Sequence, residues 1–76
     1  MATSKVQVFK YGKPSKGVKV VLEFTGLHNM GFTNSFYTNS DGNAHIDHSS
    51  TGPAKVYLDG RCVGSMNTPG FEVFYL

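Results

Sequence analysis

The sequence predicts an all-β protein, a small antiparallel sandwich of seven strands, and three observations predict it. Apolar and polar residues alternate at period two over most of the chain, and over no useful window do apolar residues recur at helical spacing. Asp41-Gly42 and Asp59-Gly60 are turn dipeptides set between alternating runs. Strand-length segments and turn signals then follow one another at roughly regular spacing, as in small sandwiches and barrels.

Val6 and Val8 open the first strand, which is expected over residues 6–11. Residues 12–17 form the connecting turn, with glycine at both ends and Pro14 inside. The second strand is the clearest. Val18, Val20, Leu22 and Phe24 point one way, and Lys19, Val21, Glu23 and Thr25 the other. A glycine-bounded loop over residues 27–31 leads to a third strand over 32–38, with Phe32, Asn34, Phe36 and Thr38 on one face. Asp41-Gly42 supplies the positive φ of a tight hairpin. Beyond it Ala44, Ile46 and His48 share one face, and His45 and Asp47 the other. After a turn at residues 49–53, Ala54, Val56 and Leu58 face inward against Lys55, Tyr57 and Asp59. Asp59-Gly60 returns the chain through Cys62 and Val63, and the loop 67–70 precedes a closing strand over 71–76.

Seventy-six residues make one domain, residues 1–76. A chain this short buries only about 60% of its unfolded surface, so each large apolar side chain matters. Cys62 is the only cysteine, which excludes an internal disulfide and a thiolate metal cluster. The core must hold without a staple, or a partner surface must help. There is no apolar run of about 18 residues and no signal-like start. The expectation is a chain that stays in the cytoplasm without a membrane, or one that is extracellular if trimmed from a larger secreted protein.

The strands and turns resemble the transthyretin-like, or prealbumin-like, sandwich of the carboxypeptidase regulatory-domain type. The residues that carry the likeness are Gly17-Val18-x-Val20-x-Leu22, Thr38-x-x-Asp41-Gly42-x-Ala44-x-Ile46, and Gly52-x-Ala54-x-Val56-Tyr57-Leu58-Asp59-Gly60. They cover most of the chain and are turn and core positions. The resemblance implies a seven-stranded, non-catalytic module that binds, spaces or assists the folding of another component. Some related sandwiches carry an isopeptide bond from a first-strand lysine to a last-strand asparagine, beside an acid. Lys5 or Lys10 would offer the amine and Glu23 the acid, but residues 71–76 contain no asparagine, so no self-crosslink is expected.

Chemistry-bearing residues are sparse. His45, Asp47 and His48, with Asp41 nearby, are of the types that ligate zinc or another transition metal. Strand geometry sends His48 to the face opposite His45 and Asp47, so the three do not converge without a bulge; His28 sits in a separate loop. No Gly-x-Ser-x-Gly elbow surrounds Ser49-Ser50, and no glycine-rich segment opens a helix to cradle phosphate. Cys62 is expected to be a buried or half-buried small hydrophobe and not a nucleophile. Neither enzyme nor cofactor is expected.

Net charge is +2, unevenly spread: Lys5, Lys10, Lys13, Lys16 and Lys19 all precede the first acid, Glu23, and Arg61 is the only arginine. Lysine without arginine contacts phosphate with little base specificity, so the lysines are expected to solvate the first hairpin and guard an edge strand. Weak nucleic-acid binding through them is the lesser alternative.

The aromatics are the better functional surface. Phe9, Tyr11, Tyr37, Tyr57 and Phe74 fall opposite the obvious core positions, and contiguous exposed aromatics mark partner surfaces. Burying Phe71, Val73 and Tyr75 of the closing strand would leave Phe74 and Leu76 to be covered. The expected interaction surface is therefore Tyr37, Tyr57, Phe74 and Leu76. The expected role is a protein-interaction or assembly module, with a protein partner or a second copy. The alternative is a carbohydrate- or small-ligand-binding sandwich using Tyr37 and Tyr57 as a stacking platform.

Overall fold

A computed structural model describes residues 2–26 and 31–76 and shows an all-β sandwich of two sheets. Among these residues there are nine strands and no helix, hence none that could cross a membrane. In chain order they are β1 (Ala2–Lys10), β2 (Lys13–Pro14), β3 (Lys19–Phe24), β4 (Gly31–Phe32), β5 (Phe36–Tyr37), β6 (Asn43–His48), β7 (Gly52–Leu58), β8 (Arg61–Thr68) and β9 (Phe71–Tyr75).

The first sheet is centred on β1. Antiparallel β6 and β2 lie in succession along one side of it, and parallel β9 lies along the other. The second sheet runs β3, β7, β8, all antiparallel, with β4 and β5 side by side on the far edge of β3. The two inner faces interdigitate around Val6, Val8, Val18, Val20, Leu22, Phe24, Ala44, Ile46, Ala54, Val56, Leu58 and Met66, all buried. Alternation put these residues on one side of each strand, and burial of that side is what drives the two sheets together.

Several expectations are corrected. Among the described residues the strand count is nine because two local signals act more strongly than alternation. Tyr11 and Gly12 both take positive φ, 54° and 77°, and close a tight hairpin that makes Lys13–Pro14 a strand paired with the end of β1. Residues 32–38 do not form one strand. The Thr33 amide donates to the Leu22 carbonyl and its hydroxyl accepts the Leu22 amide, so the chain kinks between β4 and β5. Phe32 is consequently outside while Phe36 packs against the core.

Asp41-Gly42 does not close a hairpin within a sheet, because β5 belongs to the second sheet and β6 to the first. It is a crossover, tied by the Asn39 side-chain oxygen, which accepts the amides of Asp41 and Asn43. Gly42 does have the expected positive φ, 77°, and a Cβ there would lie 2.6 Å from the Val8 carbonyl oxygen. The close approach lets Val8 N–H bond Gly42 O at 2.8 Å, locking the crossover onto β1.

β1 is central, so Lys5 and Lys10 guard no edge, whereas Lys13 lies on β2 at the edge of the sheet. Nor is the sandwich wholly antiparallel, since β9 runs parallel to β1 from Lys5–Phe71 to Phe9–Tyr75. The chain leaves β8 in the second sheet and joins the first through residues 69–70, so it reaches β1 with the parallel sense and needs no helical crossover.

Candidate interaction surface

The outward face of the second sheet is built by the odd positions of β3. Lys19 stands opposite Tyr37; Val21 opposite Tyr57, which in turn faces Cys62; and Glu23 lies between Phe32 and Lys55. Tyr57 Oη donates to Glu23 Oε1 at 2.9 Å, and its ring is 6.3 Å from that of Phe32 at 52°. Phe32 is 67% and Tyr37 62% exposed. The hydrogen bond to the Glu23 carboxylate holds the Tyr57 phenol above its ordinary pKa; desolvation and the Glu23 charge act the same way.

Tyr37 and Tyr57 thus share a face, at diagonal positions across β3. The ring paired with Tyr57 is Phe32, which alternation had set on the same face as Phe36. Cys62 is exposed, contrary to expectation. A bulge sets Val56 opposite Gly64 but Tyr57 opposite Cys62, so Val63 is the extra residue and packs on the core in place of Cys62.

The closing strand is inverted relative to the sequence reading. Phe74 pairs with inward-facing Val8 and packs against the core, while Phe71, Val73 and Tyr75 share the outward face with Lys5, Gln7 and Phe9. Lys5 Nζ lies 4.6 Å above the Phe71 ring, and Phe9 stacks on Tyr75 at 5.4 Å and 23°. Phe74 is therefore no part of an outward surface. Leu76 is 45% exposed beside a cleft of about 270 Å³ at the hairpin end of the sandwich, with Lys10 and Arg61 on its wall. Tyr11 is exposed at the β1–β2 turn.

The histidines divide as strand geometry requires. His45 and Asp47 face outward, and Asp47 accepts a 2.8 Å bond from the Thr3 hydroxyl. His48 is buried. Its Nδ1 lies 2.6 Å from the Ser50 carbonyl, which only accepts, so Nδ1 carries the proton; Nε2 then accepts the Ser4 hydroxyl at 2.8 Å. Ser4 Oγ also accepts the Gly70 amide at 3.2 Å. Sequence reasoning missed this pair, since a hydroxyl and an imidazole 44 residues apart leave no local signal. It resembles a nucleophile and its base, but Ser4 is 1% exposed and every partner is internal. A cleft of about 290 Å³ reaches His48, yet both ring nitrogens are already engaged. Among the described residues no three His, Cys, Asp or Glu side chains gather as a metal site would need. His28 lies outside the described residues.

In comparisons with known proteins, no family model and no curated protein sequence matches this chain.

Proposed function

We propose that this protein is a non-enzymatic β-sandwich module that works by protein contact, with the outward face of the second sheet as its docking surface. The observation that carries the reading is the set Phe32, Tyr57 and Tyr37 around Val21, with Lys19, Glu23 and Lys55 as a charged rim. Aromatic residues at the centre and charges at the border are the composition of interface hot spots. The Tyr57–Glu23 bond and the paired strands beneath hold the set in place, which lowers the ordering cost of binding. The non-enzymatic part is supported by the burial of the Ser4–His48 pair. We read the sandwich as transthyretin-like, of the carboxypeptidase regulatory-domain type; the two-sheet arrangement and the Asp41-Gly42 crossover between the sheets support that reading.

A photoreactive side chain placed at Tyr37, with Lys16 as control, tests the surface. Crosslinks to one protein at Tyr37, absent at Lys16 and lost on Tyr57→Ala, are the expected result. Equal capture at both positions overturns it. A second reading, sugar or small-ligand binding, is favoured by the tilted Phe32–Tyr57 pair beside a carboxylate. It requires salt-insensitive saccharide binding that Tyr37→Ala or Tyr57→Ala abolishes.

A further inference from the structure

We infer that β9 pairs antiparallel with β9 of a second copy of this chain, in a register centred on Val73. This goes beyond the docking face, because it uses the other sheet and leaves that face open.

Among the described residues β9 pairs with β1 alone, so one side of its backbone has no strand. The bonds Lys5 N–H to Gly70 O, 2.9 Å, and Leu76 N–H to Phe9 O, 2.7 Å, show that the even-numbered residues direct their amides and carbonyls to β1. Phe71, Val73 and Tyr75 therefore aim theirs at the open edge, and a parallel strand with one neighbour is a template for another. The edge of β8 is blunted by its bulge at Cys62-Val63. Residues 71–75 contain no bulge, proline or lysine.

The sequence of the edge is self-complementary in one register. Centring on Val73 sets Phe71 opposite the second copy's Tyr75, Val73 opposite itself, and Tyr75 opposite Phe71. All three are positions with free backbone groups, and each such antiparallel pair exchanges two hydrogen bonds. The side-chain rows that already exist then continue across the boundary. Lys5–Phe71 meets Tyr75–Phe9 of the other copy, joining the cation–aromatic contact to the ring stack on both sides of the axis. Phe71 is 53% and Tyr75 76% exposed, so both have surface to cover. Glu72, the one charge in the strand, falls opposite Phe74. Centring on Glu72 would instead oppose two carboxylates, which disfavours that register. The contact is isologous and closes on itself as a two-fold dimer.

The test is sedimentation of the full chain from about 1 μM to about 1 mM, with Val73→Glu and Val73→Lys as charge variants. The parent is expected to pass from monomer to dimer. Each variant alone places like charges on the axis and should weaken association about tenfold or more. An equimolar mixture of the two should recover it. As a second readout, independent of how the charge variants fold, Val73→Cys in a Cys62→Ser background should oxidise to a covalent dimer, and Glu72→Cys in the same background should not. A parent that stays monomeric, variants that associate like the parent, or a mixture that stays monomeric overturns the pairing. Crosslinking at Tyr37 is unaffected by any of these outcomes, so the two proposals fail separately.

Discussion

Gly64 and Phe74 fit one another across the two sheets: a methyl group at Gly64 would stand 3.1 Å from Cε1 of Phe74. The absent side chain on β8 is what lets the β9 ring turn inward and join the core. Phe74→Asp is therefore expected to lower stability by about 2–4 kcal/mol through lost packing and a desolvated carboxylate, and Gly64→Val by about 1–3 kcal/mol through overpacking. Denaturant midpoints measure both. A parental midpoint for Phe74→Asp would return that ring to the surface.

Ser4→Ala removes a hydroxyl that both donates to His48 and accepts from Gly70. The buried His48 ring loses its partner and the part-buried Gly70 amide loses its acceptor, at an expected cost of about 1–3 kcal/mol. For a domain of this size, each 1 kcal/mol lowers Tm by about 4–8 °C. An unchanged Tm would show that the pair contributes nothing.

Gly42 and Gly60 separate strain from collision. Both have positive φ, 77° and 83°, but only Gly42 has backbone, the Val8 carbonyl oxygen, where a Cβ would go. Gly60→Ala should cost about 1 kcal/mol from conformation alone, and Gly42→Ala distinctly more. Equal losses in thermal melts would remove the close approach at the crossover.

Tyr57 is expected to ionise at higher pH than an ordinary tyrosine, because its proton bonds the Glu23 carboxylate. The folded state holds that proton more tightly than the unfolded one. The stability it contributes is thus complete below about pH 10, the unfolded value, and lost as pH rises through the higher folded value. Phenolate absorbance of the parent against Tyr57→Phe isolates this titration, and Glu23→Gln should bring it down. If Glu23→Gln leaves it in place, the hydrogen bond is not its cause.

Much of the architecture was legible because it is local. Val18, Val20, Leu22, Ile46, Val56 and Leu58 are buried, as alternation requires, and Gly42 and Gly60 have the φ their turns demand. Sheet membership was not legible, because it depends on which distant strand each edge meets. Asp41-Gly42 reads the same whether it closes a hairpin or crosses between sheets. The faces of β9 could not be assigned from Phe71 to Tyr75 themselves, since both sides are apolar; Gly64, seven or more residues upstream and in the other sheet, decides between them. Half of the candidate surface was visible as Tyr37 and Tyr57. Phe32 was hidden by the Thr33–Leu22 bonds that break its strand.

The parallel alignment of β1 with β9 also governs how the protein bears load. Lys5 and Tyr75 lie at opposite ends of that ladder, so tension applied between them acts along the strands. The bonds from Lys5–Phe71 to Phe9–Tyr75 then resist together in shear, whereas a hairpin pulled at its open end peels one bond at a time. Resistance of this kind is set by the rate of unfolding and not by equilibrium stability. A small core without a disulfide can therefore be mechanically strong along one axis while remaining thermodynamically modest.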